Sequence, residues 1–299
     1  MRQIYLYDRT FRSVTDNTRT PHITIAPANT TVTGPMVSCL MVTHGELARV
    51  QLSIEQFKCQ TYAPRELVII CDQVTDALEA LVDEAGDGVR LVSAVPDVTL
   101  GELRNLSVVA AHGDLVCQWD DDDLYGPDRI AHGVGALLQV GADALFLRQW
   151  FMWCPSQRVL ALSRSRIWEG SMIARKSAIA PYPALRREED TRMVDAMVAR
   201  SSIALLDDPL SYCYCIHGQN TSPDEHMQKL IDTAKPRFDY AEAVAAFTSN
   251  FAFASHPALK SGEADGIIGS ASRKGIRRAA RRLKLYTTFS PLIRRLRGT

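Results

Sequence analysis

Four adjacent aspartates, Asp120–Asp123, directly follow the apolar run "DLVCQW". Like charges this close repel one another, so each ionised carboxylate needs water, a donor or a cation beside it. Carboxylate oxygens suit hard divalent cations such as Mg²⁺ or Mn²⁺. A cation held there could grip a diphosphate and neutralise charge on a departing phosphate oxygen. A solvated acidic loop is the alternative, although the strand-like run before the aspartates and "YGPDRI" after them favour a site.

A second group of acids, "REED" at 187–190, stands at the start of a predicted helix. A carboxylate within hydrogen-bond reach of a hydroxyl can take its proton while the oxygen forms a new bond, which makes such an acid a candidate general base. The helix macrodipole also favours acids in a first turn, whatever their function. The residues alone leave both interpretations open.

Strand and helix patterns alternate between 36 and 141, with short links. The predicted strands lie at 36–43, 66–72, 89–95 and 114–120, and the predicted helices at 46–60, 75–86, 99–113 and 126–141. This order predicts an α/β fold with a mostly parallel central sheet and flanking helices. Ligands of such sheets bind beyond the carboxyl ends of the strands, where Thr43, Asp72 and the Asp120–Asp123 run all fall.

Composition divides the chain into three parts. Residues 1–35 are polar and rich in threonine, and we predict an N-terminal extension there. Residues 36–230 form the predicted main domain, and 231–299 a helical, basic C-terminal tail. The second half of the main domain is predicted to contain strands at 142–154 and 158–162, a helix at 187–201 and two short strands within 201–218.

Charge is distributed unevenly along the chain. Basic and acidic side chains number 34 each, but ten basic and no acidic ones follow Asp265, so the rest of the chain carries ten more acids than bases. Such asymmetry suggests a binding or catalytic body with a basic arm for an anionic partner.

The basic arm has an amphipathic pattern. On a helical wheel from Ile276 to Thr287, one face is apolar (Ile276, Ala279, Ala280, Leu283, Tyr286) and the other is basic, with Leu285 among the charges. A basic helix within 273–297 suits an anionic membrane surface, and a lipid-linked acceptor would explain it. Docking on the acidic body is an equal alternative. Nucleic acid is not expected, because aromatic side chains for base stacking are nearly absent.

Seven cysteines are scattered without a C-x-x-C pair, which argues against a disulfide framework or a zinc cluster and predicts reduced thiols. The first twenty residues lack the apolar core of a signal peptide, and no run approaches the roughly 20 apolar residues of a membrane span. We therefore expect a cytoplasmic location, peripheral at the inner face of the membrane if the tail binds lipid.

Six segments, in order, resemble the family 2 glycosyltransferases, which have the GT-A (nucleotide-diphospho-sugar transferase) fold. The resemblance covers about 36–225. It rests on "VSCLMVTHGELARVQLSIEQFKCQTYAPRELVIICD", "GELRN", "QWDDDDLYGPDRI", "WEGSMIARKSAI", "REEDT" and "YCIHGQNTS". It implies inverting transfer of a sugar from a nucleotide-diphosphate donor, above all a UDP-sugar, to an acceptor hydroxyl. The implied cofactor is Mn²⁺ or Mg²⁺, and the implied acceptor is a glycan, a glycolipid or another cell-surface saccharide.

The resemblance also implies a role for each residue that matches a family motif. Donor contacts fall to five residues: Thr43, Asp72, Arg104, Asp120 and Asp121. Asp122, the last residue of the D-x-D, would bind the metal with help from His217. Gly170 and Ser171 would line the sugar and the acceptor. Asp190 of the Glu189–Asp190 pair would be the catalytic base.

The sequence departs from the family at two places. Cys71 stands where the family often has a first acid before Asp72, and the first strand ends in "VTHG" rather than a Pro-Thr-Tyr-Asn type segment, which bears on base recognition. The Q-x-x-R-W signature of processive synthases is absent, so we expect single sugar additions. Two other functions stay open: a sugar-nucleotide nucleotidyltransferase, and a non-catalytic sugar-nucleotide-binding protein with a membrane-surface tail.

Overall fold

The strands and helices follow the predicted alternation. The computed structural model describes residues 2–7, 21–26, 33–259 and 262–297. The strands are β1 (Gln3–Tyr7), β2 (His22–Ile25), β3 (Thr33–Thr43), β4 (Ala63–Cys71), β5 (Val89–Ser93), β6 (Leu115–Gln118), β7 (Leu124–Tyr125), β8 (Ala144–Leu147), β9 (Phe151–Cys154), β10 (Val159–Leu162), β11 (Ile173–Arg175), β12 (Ile203–Leu206) and β13 (Tyr212–Cys215). The helices are α1 (Leu47–Lys58), α2 (Asp76–Ala85), α3 (Leu100–Ala110), α4 (Arg129–Val140), α5 (Glu189–Val198), α6 (Asp224–Thr233), α7 (Tyr240–Phe247), α8 (Glu263–Gly269) and α9 (Arg273–Arg297).

The main sheet is mixed. Its nine described strands run in the order β2-β1-β12-β8-β11-β6-β3-β4-β5. Strands β6, β3, β4 and β5 are parallel neighbours, as is the pair β8 and β12. Strand β11 is antiparallel to both β6 and β8. It enters from the rim where β6 ends, because the turn Glu169–Ser171 lies beside Asp120. The prediction of a mostly parallel sheet therefore holds only for its first half.

The N-terminal segment takes part in this sheet. Strand β1 pairs antiparallel with β12 and with β2, and Ile4 is fully buried. The described parts of the predicted extension thus build one edge of the main domain. The alternation of "QIYLY" is the only local sign of this, and its partner strand lies about two hundred residues away in sequence.

Helices of the first half cover the sheet and aim their N-termini toward the site. Helix α1 buries Val50, Ile54 and Phe57, which recur at helical spacing, whereas Leu47 is 41% exposed. Helix α3 begins with a capping box, in which the Thr99 hydroxyl accepts from the Glu102 amide and the Glu102 carboxylate accepts from the Thr99 amide. This cap fixes the start of the helix that carries Arg104.

A second, smaller sheet has the order β10-β9-β13-β7. Strand β7 follows the aspartate run directly and pairs antiparallel with β13, Leu124 opposite Cys213. Helix α7 packs on the outside of this sheet through an aromatic cluster in which the rings of Phe151 and Phe247 lie 4.9 Å apart. The small sheet therefore joins the aspartate run to the C-terminal part of the chain.

The basic helix α9 is docked on the body. Its buried residues Gly275, Ala279 and Leu283 recur every four positions and face α7. A Cβ at Gly275 would overlap the Glu242 carboxylate, so the two helices approach closely there. Of the predicted apolar face, Ala280 is exposed instead, and the side chain of Tyr286 lies outside the described residues. Within the described residues, no helix combines the length and the apolar character that crossing a bilayer requires.

Glu66 ties strands β3 and β4 to the chain before β6. Its Oε1 accepts from Ser38 Oγ at 2.6 Å and from the His112 amide at 2.7 Å, and its Oε2 from Arg90 Nε at 3.0 Å. Burial opposes ionisation, but these donors outweigh it and hold the pKa of Glu66 below its usual value. The ionised carboxylate is therefore the form that stabilises the fold.

We expect Glu66→Gln to lower the free energy of unfolding by about 2 kcal/mol at pH 7, because charge-assisted hydrogen bonds are lost in a buried site. The folded pKa is lowered, so this contribution is present above the usual pKa and disappears as pH falls through the folded value. Urea denaturation at pH 7 and pH 4 measures the difference. The exposed Glu84→Gln in α2 is the control, and equal stability of both variants at pH 7 would contradict the assignment.

Candidate active site

Asp120 is compensated by an arginine that also reaches the second acidic group. Arg104 Nη1 lies 3.3 Å from Asp120 Oδ1, and Arg104 Nε lies 2.8 Å from Glu189 Oε1. Burial raises the pKa of Asp120, and Arg104 counteracts this. The guanidinium of Arg104 therefore joins the aspartate run to the start of α5. Contact of Arg104 with the donor stays a prediction.

Asp121 is hydrogen bonded by a hydroxyl rather than by a basic side chain. The Thr43 hydroxyl at the end of β3 donates to Asp121 Oδ2 and also accepts from the Gly45 amide at 2.9 Å. Burial, followed by the charge of Asp122, raises the pKa of Asp121 to about 7. Thr43 and Asp121 thus meet at the predicted rim, and further positive charge near them would be stabilising.

Asp122 meets His217, as their assignment to one metal site requires. Asp122 Oδ2 and His217 Nε2 lie 2.9 Å apart. Burial opposes ionisation of Asp122, but this hydrogen bond and the nearby positive charge hold its pKa below the usual value. His217 reaches the run because β13, which precedes it, pairs with β7.

Arg49, in the first turn of α1, was not singled out in the sequence. Its Nη2 lies 3.5 Å from His217 Nδ1 and contacts Gln219 Oε1, and its charge favours ionisation of both Asp121 and Asp122. Glu46 pairs with its Nε at 2.8 Å. The only sequence signal was a basic residue shortly after the strand predicted at 36–43.

Asp123 turns away from the other three aspartates. It is 1% exposed, and it accepts from the Tyr212 hydroxyl and from the Cys215 amide. Burial raises its pKa well above the usual value. Asp123 therefore anchors β7 to β13 and holds the end of the aspartate run in place.

The acids of "REED" lie beside the same rim. Glu189 is 2% exposed and forms an ion pair with Arg104. Asp190 is half-buried and accepts a hydrogen bond from the Thr191 amide at 2.7 Å. The charge of Asp190 raises the pKa of Asp120, after the larger effect of burial and the charge of Asp122, so the two carboxylates share one electrostatic environment. Of the two predicted catalytic acids, Asp190 is the one that forms no ion pair within the described residues, although the charge of Arg104 acts on it.

A third acid, Glu169, lies beside Asp190 and was missed. Its Oε1 accepts from Thr191 Oγ1 at 3.1 Å, and Arg166 forms an ion pair with its Oε2. Burial raises the pKa of Glu169 although Arg166 counteracts it, and Asp190 adds to the rise. The glutamate of "WEGS" gave no separate signal, because its nearness to Asp190 depends on packing across the sheet.

The predicted sugar-side residues have different environments. A Cβ on Gly170 would lie 3.5 Å from Asp120 Oδ2 and 3.2 Å from the Tyr212 hydroxyl, so glycine lets the backbone approach the acid. Ser171 is 3% exposed, and its hydroxyl donates to the Trp168 carbonyl at 2.6 Å and accepts from the Leu147 amide at 2.8 Å. Its hydroxyl therefore holds the turn, and contact with sugar or acceptor stays a prediction for both residues.

Asp72 stands at the end of β4, next to the rim. Its Oδ1 lies 3.3 Å from His44 Nδ1, and His44 is largely exposed while Asp72 is nearly buried. Cys71, which replaces an acid of the family pattern, is fully buried. Nucleoside contact by Asp72 stays a prediction.

His256, far beyond the aspartates in sequence, hydrogen bonds to the backbone of the run. Its Nδ1 accepts from the Ala258 amide at 3.1 Å, so Nε2 carries the proton that it donates to the Asp122 carbonyl at 3.0 Å. His256 is 3% exposed. The segment after α7 therefore helps to position the backbone of Asp122.

The chain is similar to known proteins in one segment of its sequence and in its fold. Residues 38–176 match the family described as "Glycosyl transferase family 2". Two crystal structures of S. aureus TarS 1-349, in complex with UDP and with UDP-GlcNAc, have TM-scores of 0.52, at 16% and 17% identity. They cover 80% and 78% of this chain, and 76% and 70% of the TarS chain. The mannosyltransferase PcManGT from Pyrobaculum calidifontis, in complex with GDP-Man and Mn²⁺, has a TM-score of 0.47 at 15% identity, covering 85% of this chain and 70% of its own. No curated protein sequence matches the chain significantly.

The large sheet and its flanking helices have the GT-A fold, as predicted, and the family match over 38–176 identifies the chain as a glycosyltransferase. The chain carries a glycosyl transferase family 2 domain. The matched segment ends at residue 176, before Asp190 and His217, so part of the rim lies outside it.

We expect His256→Ala to lower the free energy of unfolding by about 1–2 kcal/mol, because the Asp122 carbonyl loses its donor in a buried place. His256→Gln can still donate through its amide and should retain most of the stability. Thermal unfolding of both variants measures this, with the exposed His226→Ala as control. If the alanine and glutamine variants lose the same stability, the hydrogen bond to Asp122 is not what His256 contributes.

Proposed function

We propose that the protein is an inverting glycosyltransferase that moves one sugar from a nucleotide-diphosphate donor to an acceptor hydroxyl with a divalent cation. The observation that carries the proposal is the pairing of Asp122 with His217 on a rim that also carries Asp190, a carboxylate without an ion pair among the described residues. The donor phosphates would lie over Asp120–Asp122, and the acceptor beside Asp190.

The residues present fit Mn²⁺ or Mg²⁺. Among the described residues, no three His, Cys, Asp or Glu side chains form a ready-made metal cage. Mg²⁺ and its analogues, however, are usually held by one or two carboxylates and complete their shell with water and substrate phosphates. Asp122 and His217 offer such a partial set, and the raised pKa of Asp121 indicates a place where added positive charge is stabilising. The cation would supply charge neutralisation for the departing diphosphate.

Arg49 would add a fixed positive charge on the donor side. Its guanidinium lies next to His217 and Gln219 and acts electrostatically on Asp121 and Asp122. Planar guanidinium groups match phosphate oxygens well. Arg49 would therefore bind the diphosphate together with the cation and stabilise the charge that develops as the sugar leaves.

Asp190 would act as the base. A hydroxyl becomes a good nucleophile only as its proton leaves, and an ionised carboxylate can accept that proton during attack. Attack from the side opposite the diphosphate inverts the anomeric carbon, and such a displacement requires no enzyme nucleophile. Glu189 would orient the site through Arg104 instead of taking the proton, because it is already ion-paired.

A UDP-sugar is the first donor to test, because the TarS structures of the same fold hold UDP and UDP-GlcNAc. The acceptor would be a glycan, glycolipid or other cell-surface saccharide, reached from the cytoplasmic side. Shallow fold similarity leaves the sugar open, since specificity resides in pocket shape rather than in the fold.

We expect Asp190→Asn to reduce transfer by about 100-fold or more while nucleotide binding is retained, because the amide cannot accept the acceptor proton. Release of nucleoside diphosphate with acceptor measures turnover, and calorimetry with UDP measures binding. Asp76→Asn, an exposed acid in the first turn of α2, is the matched control. Unchanged turnover in the Asp190 variant would exclude it as the base.

We expect nucleotide sugars with Mn²⁺ to raise the melting temperature of the wild-type protein, because a ligand that binds only the folded state stabilises it. Asp122→Asn should lose the Mn²⁺-dependent part of the shift, since one of two proposed protein ligands is changed. A thermal-shift screen over UDP- and GDP-sugars, with and without Mn²⁺, measures this. An Mn²⁺-dependent shift that survives in the Asp122 variant would place the cation elsewhere.

A further inference from the structure

The exposed face of α9 carries a continuous row of positive charge, here called the basic stripe. Its members are Arg273, Lys274, Arg277, Arg278, Arg281 and Arg282. All six are exposed, and the first described acidic side chain before them is Asp265, in the preceding helix. At 1.5 Å per residue, the stripe extends about 14 Å along the helix.

The stripe is not neutralised by the body. Within the described residues, no ion pair involves any of its six side chains, and only Arg282 has a ring contact, over Phe238 at 5.9 Å. This is notable because the remainder of the chain is acidic overall and could have supplied carboxylates. Six neighbouring positive side chains without ion pairs repel one another, which destabilises the folded protein unless an anionic partner binds them.

The orientation of the stripe is fixed by packing. Gly275, Ala279 and Leu283 are buried against the body, and Gly275 allows close contact with α7 at Glu242. The apolar side that an interfacial helix would insert into lipid is therefore already occupied. A partner of this helix would therefore contact mainly its basic side chains. Leu285, which is 56% exposed, is the one described large apolar side chain at the end of the stripe.

We propose that the basic stripe is a docking surface for an anionic lipid bilayer, bound through charge and without insertion of the helix. The helical backbone continues to Arg297, and its sequence there adds Arg294, Arg295 and Arg297 with no acid. Basic residues near an anionic leaflet each contribute to binding, and a rigidly held row presents them together. The proposal is independent of the donor, the cation and the base.

Lipid fits the stripe better than nucleic acid does. Between Arg273 and Leu285, α9 carries no aromatic side chain that could stack on a base, and single-stranded nucleic acid is bound largely through such stacking. A nearly straight, outward-facing row on one helix can lie along a planar layer of phosphate headgroups.

The test uses full-length protein and co-sedimentation with vesicles of phosphatidylcholine alone or with 30% phosphatidylglycerol. We expect binding only to the anionic vesicles at low salt, and release at 0.5 M NaCl, because screening shortens the reach of exposed charges. The triple variant Arg277→Gln, Arg278→Gln, Arg281→Gln should bind roughly 10- to 100-fold more weakly. A matched triple on other exposed elements, Lys58→Gln, Arg200→Gln, Lys229→Gln, should bind like the wild type.

Three results would overturn the proposal. Equal weakening by both triples would assign binding to net charge rather than to the stripe. Binding that persists on neutral vesicles or at 0.5 M NaCl would mean apolar insertion. Tighter binding to a 20-base-pair duplex than to anionic vesicles at the same salt would identify nucleic acid as the partner. Retained melting temperature and nucleotide response in the stripe variant separate lipid binding from failure of the fold or of the proposed transfer reaction.

Discussion

Electrostatic repulsion among Asp120–Asp123 is the constraint around which the rest of the site is arranged. Each carboxylate of the run is stabilised by a group from a different element: Arg104 of α3 at Asp120, Thr43 at the end of β3 at Asp121, His217 after β13 at Asp122, and Tyr212 within β13 at Asp123. Removing Arg104 or His217 would leave a largely buried carboxylate without its ion-pair partner, which is costly. The acids thus explain why distant segments must converge.

The pairing of β7 with β13 brings several of these groups to the aspartate run. It places the backbone amide of Cys215 on Asp123 and carries His217 to Asp122, while the aromatic cluster behind the small sheet keeps both strands in register. His256 then holds the Asp122 carbonyl from the far end of the chain. Residues after the matched family segment therefore have as large a part in the site as residues within it.

Local patterns in the sequence predicted the elements well and their long-range partners poorly. The capping box at Thr99, the helix faces of α1 and the polar strand ends follow from spacing alone, and all are present. The direction of β11 and the place of β1 depend on pairing across the chain, which spacing does not encode. The same holds in the site: the run and His217 stood out by residue type, whereas Arg49, Glu169 and His256 matter through neighbours that only the fold supplies.

The edge position of β1 bears on where this polypeptide can be cut. Strand β1 pairs with β12 at one side of the main sheet, and His256, after α7, hydrogen bonds to the Asp122 carbonyl. Segments before and after the matched segment therefore take part in the same domain. A fragment trimmed to the matched segment at 38–176 would expose the edge of β8, which loses its neighbour β12 and, beyond it, β1. Such a piece should aggregate through its open strand edge instead of folding as an autonomous module.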